Sequence, residues 1–253
     1  MKYLNRKAGT LAMAILSASL LSACGGSSND DNDVVADNGS GNGNGNGTEM
    51  MTYDITVTNL TSNQPLSPLA AQLHSSEYSA WKVGAAASEN LEMLAEGGDN
   101  SALLNAQSSY VYSAVSGVGA IGPGVGGMLT IEADINAEMS SDLKLTLVSM
   151  LVNTNDAFIG KTGVDLSDLA VGETVKHYLP IYDAGTEGNS ELQGTIPGPA
   201  DGGEGFNMAR DDVDYVARHP GVVGSDQGYS ESVLNSTHGF DSPAAVLTII
   251  RTQ

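Results

Sequence analysis

The chain has 253 residues, and its 30 acidic side chains against 10 Lys and Arg give a formal net charge of −20. So acidic a surface repels phosphate backbones and excludes nucleic acid as a partner, while it suits divalent cations or simple solubility. With 41% hydrophobic residues, few aromatics and 31 glycines, the composition is that of a packed domain with many tight turns and not of a disordered chain.

Lys2, Arg6 and Lys7 form a basic start, and residues 11–21 form an apolar run too short to span a bilayer of roughly 30 Å. Together they read as an export signal peptide over residues 1–23. It ends in Leu21, Ser22 and Ala23 before Cys24, the one cysteine of the chain. This layout resembles the lipobox of bacterial lipoproteins. The resemblance implies cleavage before Cys24, acylation of that residue with palmitate-type chains, and anchoring to a membrane; by the sorting rule of such lipoproteins, Gly25 favours the outer membrane. Loss of Lys2, Arg6 and Lys7 would leave seven basic against 30 acidic side chains, a net charge of −23. A lone cysteine allows no internal disulfide, so stability has to come from burial or from a metal.

Residues 24–49 run through Gly, Asn, Ser and Asp, a composition that buries no apolar surface and is expected to form a flexible tether. The folded domain is expected over residues 50–253. Tyr53, Ile55 and Val57 alternate with Asp54, Thr56 and Thr58, the period-2 pattern of a half-buried strand. Residues 59–68 carry two prolines and read as a loop. Residues 88–97 read as one short helix, with Ser88 as cap, acids in the first turn and Gly97 at the end. Further strands are expected over residues 109–115, 128–133, 143–152, 174–182 and 244–251. Short strands separated by Gly- and Pro-rich loops predict an all-β fold, an antiparallel β-sandwich with little helix.

Several motifs fail on their surroundings. Gly117, Gly119 and Gly122 spell G-x-G-x-x-G, but Pro123 and Gly124 follow and no helix is there to receive a pyrophosphate. Asp134, Asn136 and Glu138 are spaced like the start of an EF-hand, yet Met139 stands where the loop needs Gly and Leu145 where it needs a bidentate Glu. His74, His177, His219 and His238 show no zinc spacing and read as surface or structural. No G-x-S-x-G elbow presents a serine nucleophile. Residues 153–160 and 182–189 stand out, because each offers several hard oxygen donors within a turn after an expected strand. Calcium takes six to eight such oxygens; an Asx-rich turn bonded to its own backbone is the plainer reading.

The same segments carry a resemblance. Residues 53–251 resemble the spondin N-terminal domain family, the module of F-spondin and mindin. The resemblance is carried by Tyr53, Ile55, Val57 and Asn59, by Gln64-Pro65-Leu66-Ser67-Pro68, and most specifically by residues 150–160, with Thr154-Asn155-Asp156-Ala157-Phe158, and by Tyr182-Asp183-Ala184-Gly185-Thr186-Glu187. It implies a sandwich similar to a C2 domain with a divalent cation, expected to be calcium, at one end. Asp156 and Asp183 match the family's ligand positions. Glu138 falls near a third, with Asp134 and Asp142 as rivals.

The expectation for function is a lipid-anchored, exported calcium-binding module for binding or adhesion at the cell envelope. It is expected to be no enzyme and to take a protein or glycan ligand. The alternative is a hydrolase of envelope or extracellular polymer that uses acids such as Asp183 and Glu187.

Overall fold

The computed structural model describes residues 47–253; the signal peptide, Cys24 and nearly all of the expected tether lie outside the described residues. In chain order the elements are β1 (Glu49–Asn59), β2 (Ala70–His74), α1 (Glu89–Gly97), α2 (Ser101–Asn105), β3 (Val111–Ser116), β4 (Gly126–Ile135), α3 (Ala137–Ser140), β5 (Lys144–Met150), β6 (Ala157–Asp165), β7 (Thr174–Leu179), β8 (Ile181–Asp183), β9 (Ala217–Arg218) and β10 (Ala245–Arg251). Two sheets form, ordered β4-β1-β10-β7 and β3-β2-β5-β6-β8-β9. Every strand pairing is antiparallel. The fold is an all-β sandwich.

The alternation in β1 does what its period requires. Met51, Tyr53, Ile55 and Val57 are buried and face the second sheet, beside Leu247 and Ile249 of β10 and Ile131 of β4. Leu73, Leu145, Leu147 and Ile159 fill the same core from the other side. The second sheet is covered on its outer face too. Val148, Met150 and Phe158 pack there against Trp81 and against Leu91 and Leu94 of α1. A strand buried on both faces need not alternate: β5 is buried from Leu145 to Met150 although it carries Thr146 and Ser149, and β2, buried along its whole length, carries no period that reveals it as a strand.

The elements depart from the sequence expectation in several places. Residues 174–182 are two strands in different sheets, because Pro180 has no N–H to donate to a ladder and the chain crosses over there. α1 runs through Gly97, and Gly98 closes it with a left-handed backbone, φ +68°, its N–H donating to the Leu94 carbonyl. Two further short helices, α2 and α3, add to the one expected. In α3 the Asn136 side chain accepts the Met139 N–H at 2.8 Å, so an oxygen that mimics an EF-hand ligand is a helix cap.

Candidate metal centre

Three adjacent strands build the site. In the register of β6 and β8, Ala157 faces Asp183, and in that of β8 and β9, Asp183 faces Ala217. Asp156 is the residue before Ala157 and His219 lies two residues beyond Ala217. The sheet therefore gathers side chains that are 27 and 36 positions apart in sequence. Asp156, Asp183 and His219 each present one ligand-type atom, and these atoms all lie within 4.8 Å of one another.

The turn before β6 separates structural from free oxygens. Thr154 Oγ1 donates to the Leu151 carbonyl at 2.6 Å and accepts the Ala157 N–H. Asn153 donates to the Asn63 carbonyl and accepts the Ala200 N–H. Asn155 Nδ2 reaches Glu187 Oε1 at 3.1 Å and Thr195. Thr154 thus closes the turn on its own backbone, while Asn153 and Asn155 tie it to distant segments.

Asp156 differs. Its Oδ2 accepts the backbone N–H groups of Thr186 and Glu187 at 2.8 and 3.2 Å, whereas its Oδ1 is buried without a hydrogen-bond partner among the described residues. The side chain is fully buried, and an unsatisfied carboxylate oxygen there costs free energy unless something occupies it. Burial, and after it the neighbouring Asp183 carboxylate, pushes the Asp156 pKa up to about 7 against the pull of those hydrogen bonds.

Asp183 is held by the Gly185 N–H on Oδ1 at 2.8 Å and by Asn189 Nδ2 on Oδ2 at 2.7 Å. Gly185 has φ +71°, and a Cβ there would run into the Tyr215 backbone; only glycine lets the turn after β8 pass so close. His219 Nδ1 accepts the Gly221 N–H at 3.0 Å, its Nε2 is buried without a partner among the described residues, and its ring meets Phe240 edge-on at 5.3 Å. Burial pulls its pKa down to about 4, against the Asp212 carboxylate. Asp212 is itself raised, first by burial and then by Asp183.

A second layer of acid lies behind. Burial, then Glu96, Asp211 and Glu204, push Glu187 up to about 7 although Asn155 donates to it. The ion pair of Arg210 with buried Glu92 of α1 ties down the loop that leads from this layer toward His219.

Glu138 is not part of this group. It is exposed on α3, at the start of β5, whereas Asp156 follows the end of that strand. A seven-residue strand at about 3.3 Å per residue sets them on the order of 20 Å apart. His219, which no spacing singled out, stands in the group instead. Its only sequence signal is a histidine after an alternating Tyr-x-Ala-x-His, too common a pattern to select it.

The donor set fits a hard divalent cation. Two buried carboxylates on adjacent strands, one with an oxygen that nothing else uses, are cheaper to ionise beside a cation than alone. Each carboxylate oxygen that accepts one hydrogen bond keeps a further lone pair.

Residues 58–195 match the family described as Spondin_N, more than half of the chain. The matched span contains Asp156 and Asp183 and ends before His219. Among curated proteins none matches the chain.

Proposed function

The chain belongs to the Spondin_N family, and from that premise we propose that it is an extracellular, adhesion-type module. In this reading Asp156 and Asp183 hold a calcium ion at one end of the sandwich, and a lipid on Cys24 keeps the module at the outer membrane. The observation that carries the cation is the buried, unpartnered Oδ1 of Asp156 beside Asp183. Calcium would complete its six to eight oxygens from backbone carbonyls and water. Its contribution is to neutralise carboxylates that otherwise repel, and so to fix the turns after β5 and β8 against each other.

A cleft of about 560 Å³ opens beside the centre, lined among others by Thr61, Gly221, Phe240 and Asp241. Gly221 and Phe240 also touch His219. In this reading the cleft takes a protein or glycan ligand, and its position beside His219 supports a binding that depends on an ordered centre. The test is a thermal melt of the chain in chelator and in millimolar calcium, backed by calorimetry. A rise in midpoint with measurable heat supports the reading, and an unchanged midpoint with no heat removes it.

One observation favours a second reading, hydrolysis of an envelope polymer. Glu187, raised to a pKa of about 7, would serve as a general acid in that reading, with Asp183 as the second carboxyl group. A polysaccharide and ester panel decides: turnover that Glu187→Gln abolishes establishes it, and a flat panel removes it.

A further inference from the structure

We infer that His219 closes the centre as a hydrogen-bond donor and not as a metal ligand, which restricts the centre to cations bound through oxygen. The inference rests on the cation reading above and names the class of ion that the site accepts and the class that it refuses.

The argument starts from Nδ1. It accepts the Gly221 N–H at 3.0 Å, and a ring nitrogen that accepts an amide proton carries none of its own. The one proton of a neutral imidazole is then on Nε2. A charged ring would carry a hydrogen on Nδ1 as well, set against the Gly221 N–H, so the same contact requires the neutral form. Turning the ring over would put a carbon against the Gly221 N–H and forfeit that bond. With Nδ1 taken up by Gly221, Nε2 is the nitrogen left to Asp156 and Asp183, and it is buried with no partner among the described residues. The site thus holds one unused donor, Nε2–H, and one unused acceptor, Asp156 Oδ1, neither hydrogen-bonded among the described residues.

An N–H has no lone pair for a metal. Zinc ligation through Nε2 would require the proton to move to Nδ1, where it would face the Gly221 N–H. Ligating histidines show the reverse arrangement, in which the far nitrogen donates to a carbonyl or carboxylate. His74 displays that reverse arrangement in this same chain, away from the centre: its Nδ1 lies 2.8 Å from the Ser75 carbonyl and its Nε2 2.8 Å from Thr146 Oγ1. Without an imidazole ligand the centre offers oxygens only. That donor type suits calcium, magnesium or manganese, while zinc, copper and nickel favour imidazole or thiolate. His219 can still donate to a carboxylate oxygen that also holds the cation.

The experiment uses the full chain labelled with ¹⁵N in histidine, and two-bond proton–nitrogen spectra that read the tautomer of each ring. His219→Gln assigns the signal, and His74 serves as an internal control of the Nδ1–H form. The expected result is an Nε2–H tautomer for His219 that persists on addition of calcium chloride, and no ring shift with zinc chloride. By calorimetry His219→Ala should change calcium affinity by less than about threefold, where loss of a ligand or its direct support costs 10- to 100-fold. An Nδ1–H tautomer, a zinc-dependent shift of the ring nitrogen, or a loss of tenfold or more in His219→Ala overturns the inference and leaves the cation reading standing. If neither ion binds, the cation reading falls and takes the restriction to oxygen ligands with it, while the tautomer is still read from the same spectra.

Discussion

Asp156 and Asp183 are neighbours because Asp183 is the register partner of Ala157, so two carboxylates meet where β6 begins and β8 ends. Their meeting follows from strand pairing, and it places like charges in a buried position that ordinary packing would avoid.

Removing one charge should therefore stabilise the metal-free chain and abolish its response to calcium. With a dissociation constant on the order of 10⁻⁴ to 10⁻³ M, as in extracellular modules, saturation at 100 times that value adds about 2.7 kcal/mol. For a domain of this size that is a rise of roughly 5–10 °C in midpoint. Asp156→Asn and Asp183→Asn should each melt higher than wild type in chelator and gain little from calcium. Glu138→Ala, at the other end of β5, should keep the full gain. Paired melts of the four proteins decide the matter.

The same pair sets a pH dependence in chelator. A carboxyl group whose pKa is raised on folding, as for Asp156 up to about 7 and Glu187 up to about 7, holds its proton in the native chain and loses it in the unfolded one. Stability from these groups is full below the ordinary carboxylate range and falls as pH rises toward 7. His219, lowered to about 4, acts oppositely between 4 and 6.5, but the raised acids outnumber it. Chelated wild type should thus melt at lower temperature at pH 7.5 than at pH 5.5, and Asp156→Asn should flatten the difference. A midpoint that climbs over that interval would contradict the assignment.

Gly185→Ala tests the close turn after β8. The new methyl group meets the Tyr215 backbone and sits at positive φ, so a loss of about 1–3 kcal/mol is expected. Gly163→Ala has positive φ as well but open space around it, and should cost less. Denaturant midpoints of the two variants provide the comparison.

Arg210→Ala should cost about 3 kcal/mol. It strips buried Glu92 of its cation and the Ala87 carbonyl of a donor, and breaking a buried pair costs about 3–5 kcal/mol; the low end applies because the Arg210 side chain is 25% exposed. The loss should shrink in Glu92→Gln/Arg210→Ala, where no uncompensated charge is left. A double-mutant cycle measures this directly.

Cys24→Ser should release the protein from the membrane fraction while leaving its melting curve unchanged, since the residue precedes β1 by 25 positions. Retention of the variant in the membrane fraction would contradict the lipobox reading. Fractionation followed by immunoblotting distinguishes the two.

Local rules made part of this protein legible from its amino-acid order. Alternation marked β1, the cap and acidic first turn marked α1, and Gly and Pro punctuation marked the sandwich. Segments spelled like a known family marked Asp156 and Asp183. The remainder depends on pairing between distant strands, which no local rule encodes. β2 shows no period because both of its faces are buried. The run through Pro180 splits because its two halves find partners in different sheets. Glu138 is carried away by the length of β5, and His219 is brought in by the register of β9. Neither residue has a neighbour in sequence that records its neighbour in space. The ring nitrogen facing the carboxylates is set by a single backbone N–H, that of Gly221, whose position follows from the folded chain and not from the identity of the residue.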